Sequence, residues 1–323
     1  SRLAGLHLHF FLRTLELARP GDLGCFVTAA EWLAVNYGAA LRRLLAGPLG
    51  LVALHRLDPK ALPFEDAVTT GAIIGFRPGS ADDVVQVSDI ASLDQLRDLS
   101  AGTTLARASL SAPRWTEIAR TRRTRPAGWT ELGEICRVHR GQVTGGNATW
   151  IAGTHSAGLP ERFLFPAVTK ARELIAAGTA LTEISRLRRV IDFPADLDMH
   201  EPAVRRFLDW AKAQGADAGY IARHRPAWWS VGLKPPAPIL CTYMARRPPA
   251  FVRNLCAARH INIAHGLYPR DPMPDALLDA LAAWLRANVA QSAGRTYAGG
   301  LTKFEPKELE RVLVPPLVEL VAT

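Results

Sequence analysis

Two consecutive stretches set the fold class: LGLVALHRL at residues 49–57 and VTTGAIIGF at residues 68–76. Each is a short run of apolar and β-branched side chains, the pattern of a strand buried on both faces. Gly47-Pro48 precedes the first run, a turn falls at residues 59–65, and Pro78-Gly79-Ser80 follows the second. Two strands with no helix between them predict a hairpin at the edge of a sheet. Upstream, residues 24–28 read as another buried strand. Residues 31–45 read as a helix with a break at Gly38, and residues 5–19 as an amphipathic helix carrying Leu6, Phe10, Leu15 and Leu17 and ended by Pro20-Gly21. Helix and strand alternating at this spacing predict an α/β sheet with helix-covered faces over residues 1–78.

Residues 79–127 read as a connector, with a strand at 84–87 and a short helix at 93–99. Residues 128–323 read as a second, α+β domain of short strands, turns and Pro-rich loops, with a helix over 274–290. A chain of 323 residues has room for two such domains. With 48% hydrophobic and 21% charged residues it is neither disordered nor fibrous. No apolar run reaches the roughly 18 residues of a membrane span. Cys25, Cys136, Cys241 and Cys256 form no Cys-x-x-Cys pair, which argues against structural zinc or a disulfide framework and for a cytoplasmic setting. The opening Ser-Arg-Leu-Ala-Gly is neither an initiator Met nor a secretory leader, and the chain is expected to be a piece of something longer.

The distribution of charge points further. Lys and Arg total 39 against 30 acids, a net charge of +9. Between Asp217 and Asp271 there is no acid at all, while Arg223, Arg225, Lys234, Arg246, Arg247, Arg253, Arg259 and Arg270 alternate with Trp228, Trp229, Tyr243 and Phe251. A second basic cluster is Arg120, Arg122, Arg123 and Arg125. Arginine pairs with phosphate through two donors and stacks on bases, so acid-free cationic surface beside aromatic platforms suits a nucleic acid. Composition alone also allows a solvated face or an acidic protein partner.

A self-contained active site is not legible. There is no Gly-x-Gly-x-x-Gly after a strand, no phosphate-binding P-loop, no His-Glu-x-x-His and no Gly-x-Ser-x-Gly. Two segments stand out instead. Arg140-Gly141-Gln142-Val143-Thr144-Gly145-Gly146-Asn147 closes on Trp150; its glycines permit close backbone approach, and Thr144 and Asn147 offer short polar groups. A tight turn over a core tryptophan gives the same pattern. The second segment runs from Arg295 through Tyr297, Gly299, Gly300 and Lys303 to Glu305, with Arg295 and Lys303 flanking as phosphate contacts. A Gly-rich turn into a terminal strand fits it equally.

The order of segments resembles the gamma class of N6-adenine DNA methyltransferases, the TaqI-like group. Phe10-Phe11 through Pro20-Gly21, Phe26-Val27-Thr28, Glu31-Trp32-Leu33, Tyr37-Gly38, Leu41-Arg42 and Phe64 into Thr69-Thr70 match the series that follows that family's catalytic Asn/Asp-Pro-Pro-Tyr motif. Gly141, Thr144, Gly145, Asn147 and Trp150 are similar to an element that often opens the family's target-recognition domain. Arg225-Pro226-Ala227-Trp228-Trp229 resembles its basic-aromatic segment, and Asn262 with His265 its Asn-x-x-His stretch. Arg295, Tyr297, Gly299, Gly300 and Lys303 resemble its late Gly-Gly-Leu element.

The resemblance implies a fold and a partner. Residues 1–78 would be the C-terminal half of a doubly wound methyltransferase sheet, and 128–323 a target-recognition domain facing it across a cleft for duplex DNA. Residues 141–150 would lie near an extruded adenine, with Trp150 a stacking wall, and Arg140, Arg223 and Arg225 would touch DNA. The family's Gly-rich cofactor loop, ribose-holding acid and catalytic motif have no counterpart here. S-adenosyl-L-methionine is therefore expected in the complete enzyme and not on this chain alone, which would need a catalytic half from the same or a separate polypeptide. Two other readings stay open: a non-catalytic DNA-specificity module working with a separate catalytic chain, and an RNA-binding domain.

Overall fold

The computed structural model describes residues 6–58, 70–80, 82–116, 118, 125–198, 200–297 and 301–321. The turn at 59–65, the start of the strand at 68–69, Phe64, Arg120, Arg122, Arg123, Gly299 and Gly300 lie outside the described residues. The architecture is mixed α/β with several sheets, and the described residues divide into two compact units, one before Arg125 and one from Arg125 onward, with Tyr297 grouped in the first.

The first unit contains α1 (Leu6–Leu17), β1 (Gly24–Ala29), α2 (Ala39–Ala46), β2 (Leu51–Leu57), β3 (Gly71–Phe76), β4 (Val84–Ile90) and β5 (Thr103–Ala106). They form one sheet in the order β1-β3-β2-β4-β5. β2 and β4 pair in parallel, while β3 runs antiparallel to both of its neighbours. The hairpin expected at an edge is therefore inside the sheet: β3 inserts between β1 and β2. β4 and β5 belong to this sheet as well, so residues 84–106 are not a connector. Phe11, Trp32, Leu41, Leu45, Leu54, Ile74, Phe76, Val87 and Trp115 make its core.

The helix expected over 31–45 is interrupted. Two short 3-10 turns (Glu31–Leu33 and Asn36–Gly38) precede α2. A Cβ on Gly38 would sit 2.0 Å from the Trp32 carbonyl oxygen, so only glycine lets the chain double back there. The buried Arg42 guanidinium then donates to the Trp32 and Val35 carbonyls. On the sheet, Arg56 grips both Asp89 oxygens at 2.8 and 2.9 Å and donates to the carbonyls of Trp115 and Ile118.

The second unit opens with β6 (Thr130–Glu131), α3 (Leu132–Ile135), β7 (Cys136–Arg140) and α4 (Asn147–Trp150). Next come β8 (Leu164–Val168), α5 (Ala171–Ala177), β9 (Ala180–Leu181), β10 (Arg188–Ile191), α6 (Pro202–Ala213) and α7 (Tyr220–Arg223). The chain continues through β11 (Ile239–Thr242), β12 (Met244–Ala245), β13 (Phe251–Asn254), β14 (Arg259–His260), β15 (Ala264–Pro269) and α8 (Asp275–Asn288). It closes with β16 (Arg295–Thr296), β17 (Thr302–Lys303), α9 (Pro306–Glu310), β18 (Leu313–Val314) and α10 (Leu317–Val321).

A five-stranded sheet, β7-β15-β11-β13-β9, is flanked by the three-stranded sheets β10-β8-β14 and β12-β17-β16. α8 fulfils the helix expected over 274–290. Its Leu278, Leu281 and Leu285 share a core with Ile239, Phe251, Leu267 and Phe304. A separate core gathers Trp150, Phe163, Phe193, Phe207 and Leu208.

Candidate nucleic-acid interface

The centre of the candidate site is a tyrosine between two sheets. Tyr243 follows β11 and precedes β12. Its N–H donates to the Ile263 carbonyl, and its own carbonyl accepts from the Phe304 N–H at 2.9 Å. β7 pairs with β15 so that Arg140 stands opposite His265, and β12 pairs with β17 so that Met244 stands opposite Lys303. Three segments more than fifty residues apart in sequence thus meet at one ring.

The Arg140 guanidinium lies 4.6 Å from the Tyr243 ring centroid and the Lys303 ammonium 5.3 Å from it. His265 meets the ring edge-on at 5.1 Å. Tyr243 is 6% exposed, so the ring serves as a floor on which two cations rest, a contact worth about 1 kcal/mol each. Arg140 has no carboxylate partner among the described residues, and its Nε is buried without a hydrogen bond. Lys303 pairs with Glu305 at 2.6 Å. Burial alone would lower its pKa, but hydrogen bonds to Glu305 and Tyr243 prevail and raise it.

Next to this cluster the 140–147 loop is fixed from both sides. A Cβ on Gly141 would fall 2.1 Å from the Ile261 carbonyl oxygen, which explains the glycine. The Gly141 N–H donates to Ala264 and the Asn262 N–H to Gln142. Thr144 donates its hydroxyl to Asn147 Oδ1 at 2.6 Å, and Gly145 turns the chain at φ +79°. From the other side Arg225 donates to the Val143 carbonyl at 2.6 Å, while its Nε and Nη1 are buried without partners among the described residues.

Several expected DNA contacts are corrected by burial. Trp150 is 1% exposed and packs against Phe207 and Trp228, so its indole is core and no face is free for a base. Thr144 and Gly141 are buried and shape the loop from within. His265 is fully buried. Its Nε2–H donates to the Phe304 carbonyl at 2.6 Å, and burial holds its pKa down to about 4. Arg253, one of the cations of the acid-free stretch, is 5% exposed and bound to Asp275 at 2.7 Å and Asp279 at 2.5 Å on α8.

Gly145, Asn147, Arg223 and Tyr297 are exposed, and Arg140, Arg225, Asn262 and Lys303 half-buried. Arg295 opens β16 opposite Lys303, and Tyr297 groups with the first unit. Tyr243 is the site residue that sequence reasoning did not single out, and Glu305 ended the second segment without an assigned role. Tyr243 was visible only as one of the aromatics in the acid-free run. Among the described residues no His, Cys, Asp and Glu cluster could hold a metal, and no helix is long and apolar enough to cross a membrane.

A family model described as the C-terminal domain of type II methyltransferase M.Eco57I matches residues 116–323. The chain belongs to this family. It is 57% identical to type II methyltransferase M.XamI of Xanthomonas campestris pv. amaranthicola, over 99% of this chain and 62% of that protein. It is 21% identical to type II methyltransferase M.AccI of Acinetobacter calcoaceticus, over 95% of this chain and 61% of that protein. The chain of this M.Eco57I-family member therefore spans about three fifths of the length of these relatives. Its fold is similar to that of MmeI, a type IIL restriction-modification enzyme solved in complex with DNA, with a TM-score of 0.50, 12% identity, and coverage of 84% of this chain and 36% of that one.

Proposed function

We propose that this chain is the DNA-engaging portion of a site-specific DNA adenine N6-methyltransferase, serving a restriction-modification or phage-defence system. It binds duplex DNA and helps to hold an extruded adenine. The observation that carries this reading is the convergence of Arg140 and Lys303 on Tyr243 beside the fixed 140–147 loop. An arginine without a carboxylate partner, held in place by a ring, is a ready phosphate ligand. Family membership and the DNA complex of MmeI favour the same partner.

In this reading Arg140, Lys303 and Arg223 hold phosphates. Gly145 and Asn147 lie closest to the DNA strand because they are the exposed part of the turn, and Trp150 braces that turn from the core. The target base must leave the stack before its amino group can react. A rigid turn can support such a base without closing on an empty site.

The first unit is read as the far half of the catalytic sheet. β1 is bonded on one side only among the described residues. α1 and β1 also expose Leu6, Phe10, Leu17 and Val27, an apolar surface of the kind that another part of a protein covers. S-adenosyl-L-methionine would supply the methyl group. The described residues of the first unit do not fit it. At the carboxyl end of β1 the Trp32 indole is fully buried and donates to Thr28 Oγ1 at 2.9 Å, which fills that position with side chains. The groups that hold the cofactor are assigned instead to the portion of the relatives that this chain does not match. The test is nucleoside mass analysis of duplex DNA treated with the full-length protein and S-adenosyl-L-methionine. N6-methyladenine is expected; methylated cytosine refutes the adenine assignment, and unmodified DNA refutes the enzyme.

A further inference from the structure

Beside Arg223, the short helix α7 and the residue after it present two side chains that the DNA reading has not used, Tyr220 and His224. Its inner side is Ala222, which is buried, and Ile221, whose Cβ stands 3.5 Å from the position a Cβ would take on Gly145. Its outer side is Tyr220, 72% exposed, with Arg223 and the following His224, both exposed. Arg225, one residue further on, ties this segment to the Val143 carbonyl. The outward side chains therefore stand on an anchored base next to the 143–147 turn.

Tyr220 and His224 form a close, tilted ring pair, with centroids 4.1 Å apart and an interplanar angle of 32°. The His224 Nδ1 lies 2.7 Å from the Tyr220 carbonyl oxygen. A carbonyl only accepts, so Nδ1 carries the hydrogen, and in the uncharged form of the ring Nε2 is a bare acceptor. A bare acceptor has nothing to offer a phosphate, which is itself acceptor-only. It does match an exocyclic amino group, and in the major groove only adenine N6 and cytosine N4 present one. The neighbouring Arg223 has no ion-pair partner among the described residues, and it supplies donors for the adjoining phosphate or guanine edge.

We propose that His224, braced by Tyr220, is a specificity-determining residue that reads the amino group of an adenine or cytosine in duplex DNA. The proposal rests on the DNA-binding reading above and assigns it a contact. Tyr220 is a positioning residue: it fixes the plane of the imidazole and the side to which Nε2 points.

The test is selection of a randomised duplex pool by the full-length protein, followed by sequencing. The wild type is expected to enrich a site that includes an adenine or cytosine whose preference disappears in His224→Ala, while the other positions keep theirs. Tyr220→Ala is expected to weaken that same position, and Tyr220→Phe to keep it. These side chains are exposed, so thermal stability of the variants is expected to equal that of the wild type. If His224→Ala retains every preference, or loses all of them uniformly, the assignment of His224 is overturned while the DNA reading stands. If the wild type enriches no sequence, the DNA reading itself fails, and the assignment with it.

Discussion

The Arg140 guanidinium rests 4.6 Å from the centre of the Tyr243 ring, a contact between residues 103 positions apart in sequence. Neither residue is a surface accident. Arg140 ends a strand of the five-stranded sheet, and Tyr243 is bonded through its backbone to Ile263 and Phe304. The ring orients a cation that no described carboxylate neutralises, which leaves its charge available to an anionic partner.

Glu305 is the counterweight to this arrangement. It pairs with Lys303 at 2.6 Å, so it holds the ammonium in place and also cancels part of its charge. Glu305→Gln keeps a side chain able to accept at the start of α9, where Glu305 is the N-cap, and removes the negative charge. Duplex binding at low salt is expected to strengthen several-fold, read by fluorescence anisotropy. Unchanged or weaker binding would place Lys303 outside the interface.

Trp150 gives a stability prediction in place of a binding one. Its indole is packed among Phe207, Trp228 and their neighbours. Trp150→Ala is expected to cost about 3–5 kcal/mol by urea unfolding. A stable variant that lost only its affinity for an unpaired base would restore the stacking role that burial argues against.

Burial of two histidines sets a pH dependence. His260 is 2% exposed, and burial outweighs a hydrogen bond to the His139 backbone and holds its pKa at about 4, as burial does for His265. Both are lowered from the ordinary 6.5. The unfolded chain therefore binds more protons than the folded one between these values, and stability falls as pH drops from about 6.5 to about 4. Each unit of displacement corresponds to about 1.4 kcal/mol. His260→Leu is expected to flatten the dependence of the urea midpoint between pH 7.5 and 5; an unaltered dependence would show that this histidine is not held neutral.

The exposed apolar surface of the first unit yields a fourth expectation. Phe10→Asp and Val27→Asp are expected to leave the unfolding midpoint of this chain within about 0.5 kcal/mol, because both side chains already face solvent. In the full-length protein the same substitutions are expected to lower the midpoint clearly. Equal small effects in both would show that nothing covers this surface.

How much of this was legible in the sequence follows from what each signal depends on. The strands at 24–28 and 49–57 and the helix at 274–290 could be read because continuous apolar runs and helical periodicity are local. The insertion of β3 between β1 and β2 could not, since the pattern shows that a strand is buried but not which strands flank it. Residues 84–106 looked like a connector for the same reason. The close backbone approach expected at Gly141 is present, but it is made to the Ile261 carbonyl inside the fold. Trp150 was misjudged because a Gly-rich turn ending in an aromatic looks the same over a core as over a ligand. Arg253 misled because its acids, Asp275 and Asp279, come after the acid-free stretch, and a gap in sequence says nothing about neighbours across a sheet. Tyr243 was missed because its importance exists only once residues 140 and 303 have been brought to it.

The central claim is that Arg140 and Lys303, arranged on Tyr243, hold the phosphates of duplex DNA. The most direct measurement is the salt dependence of duplex affinity for the wild type and for Arg140→Ala and Lys303→Ala, at several salt concentrations. The logarithm of affinity is expected to fall linearly with the logarithm of salt, and each substitution to reduce that slope by about one. Affinity that does not change with salt, or slopes identical in all three proteins, would contradict the account.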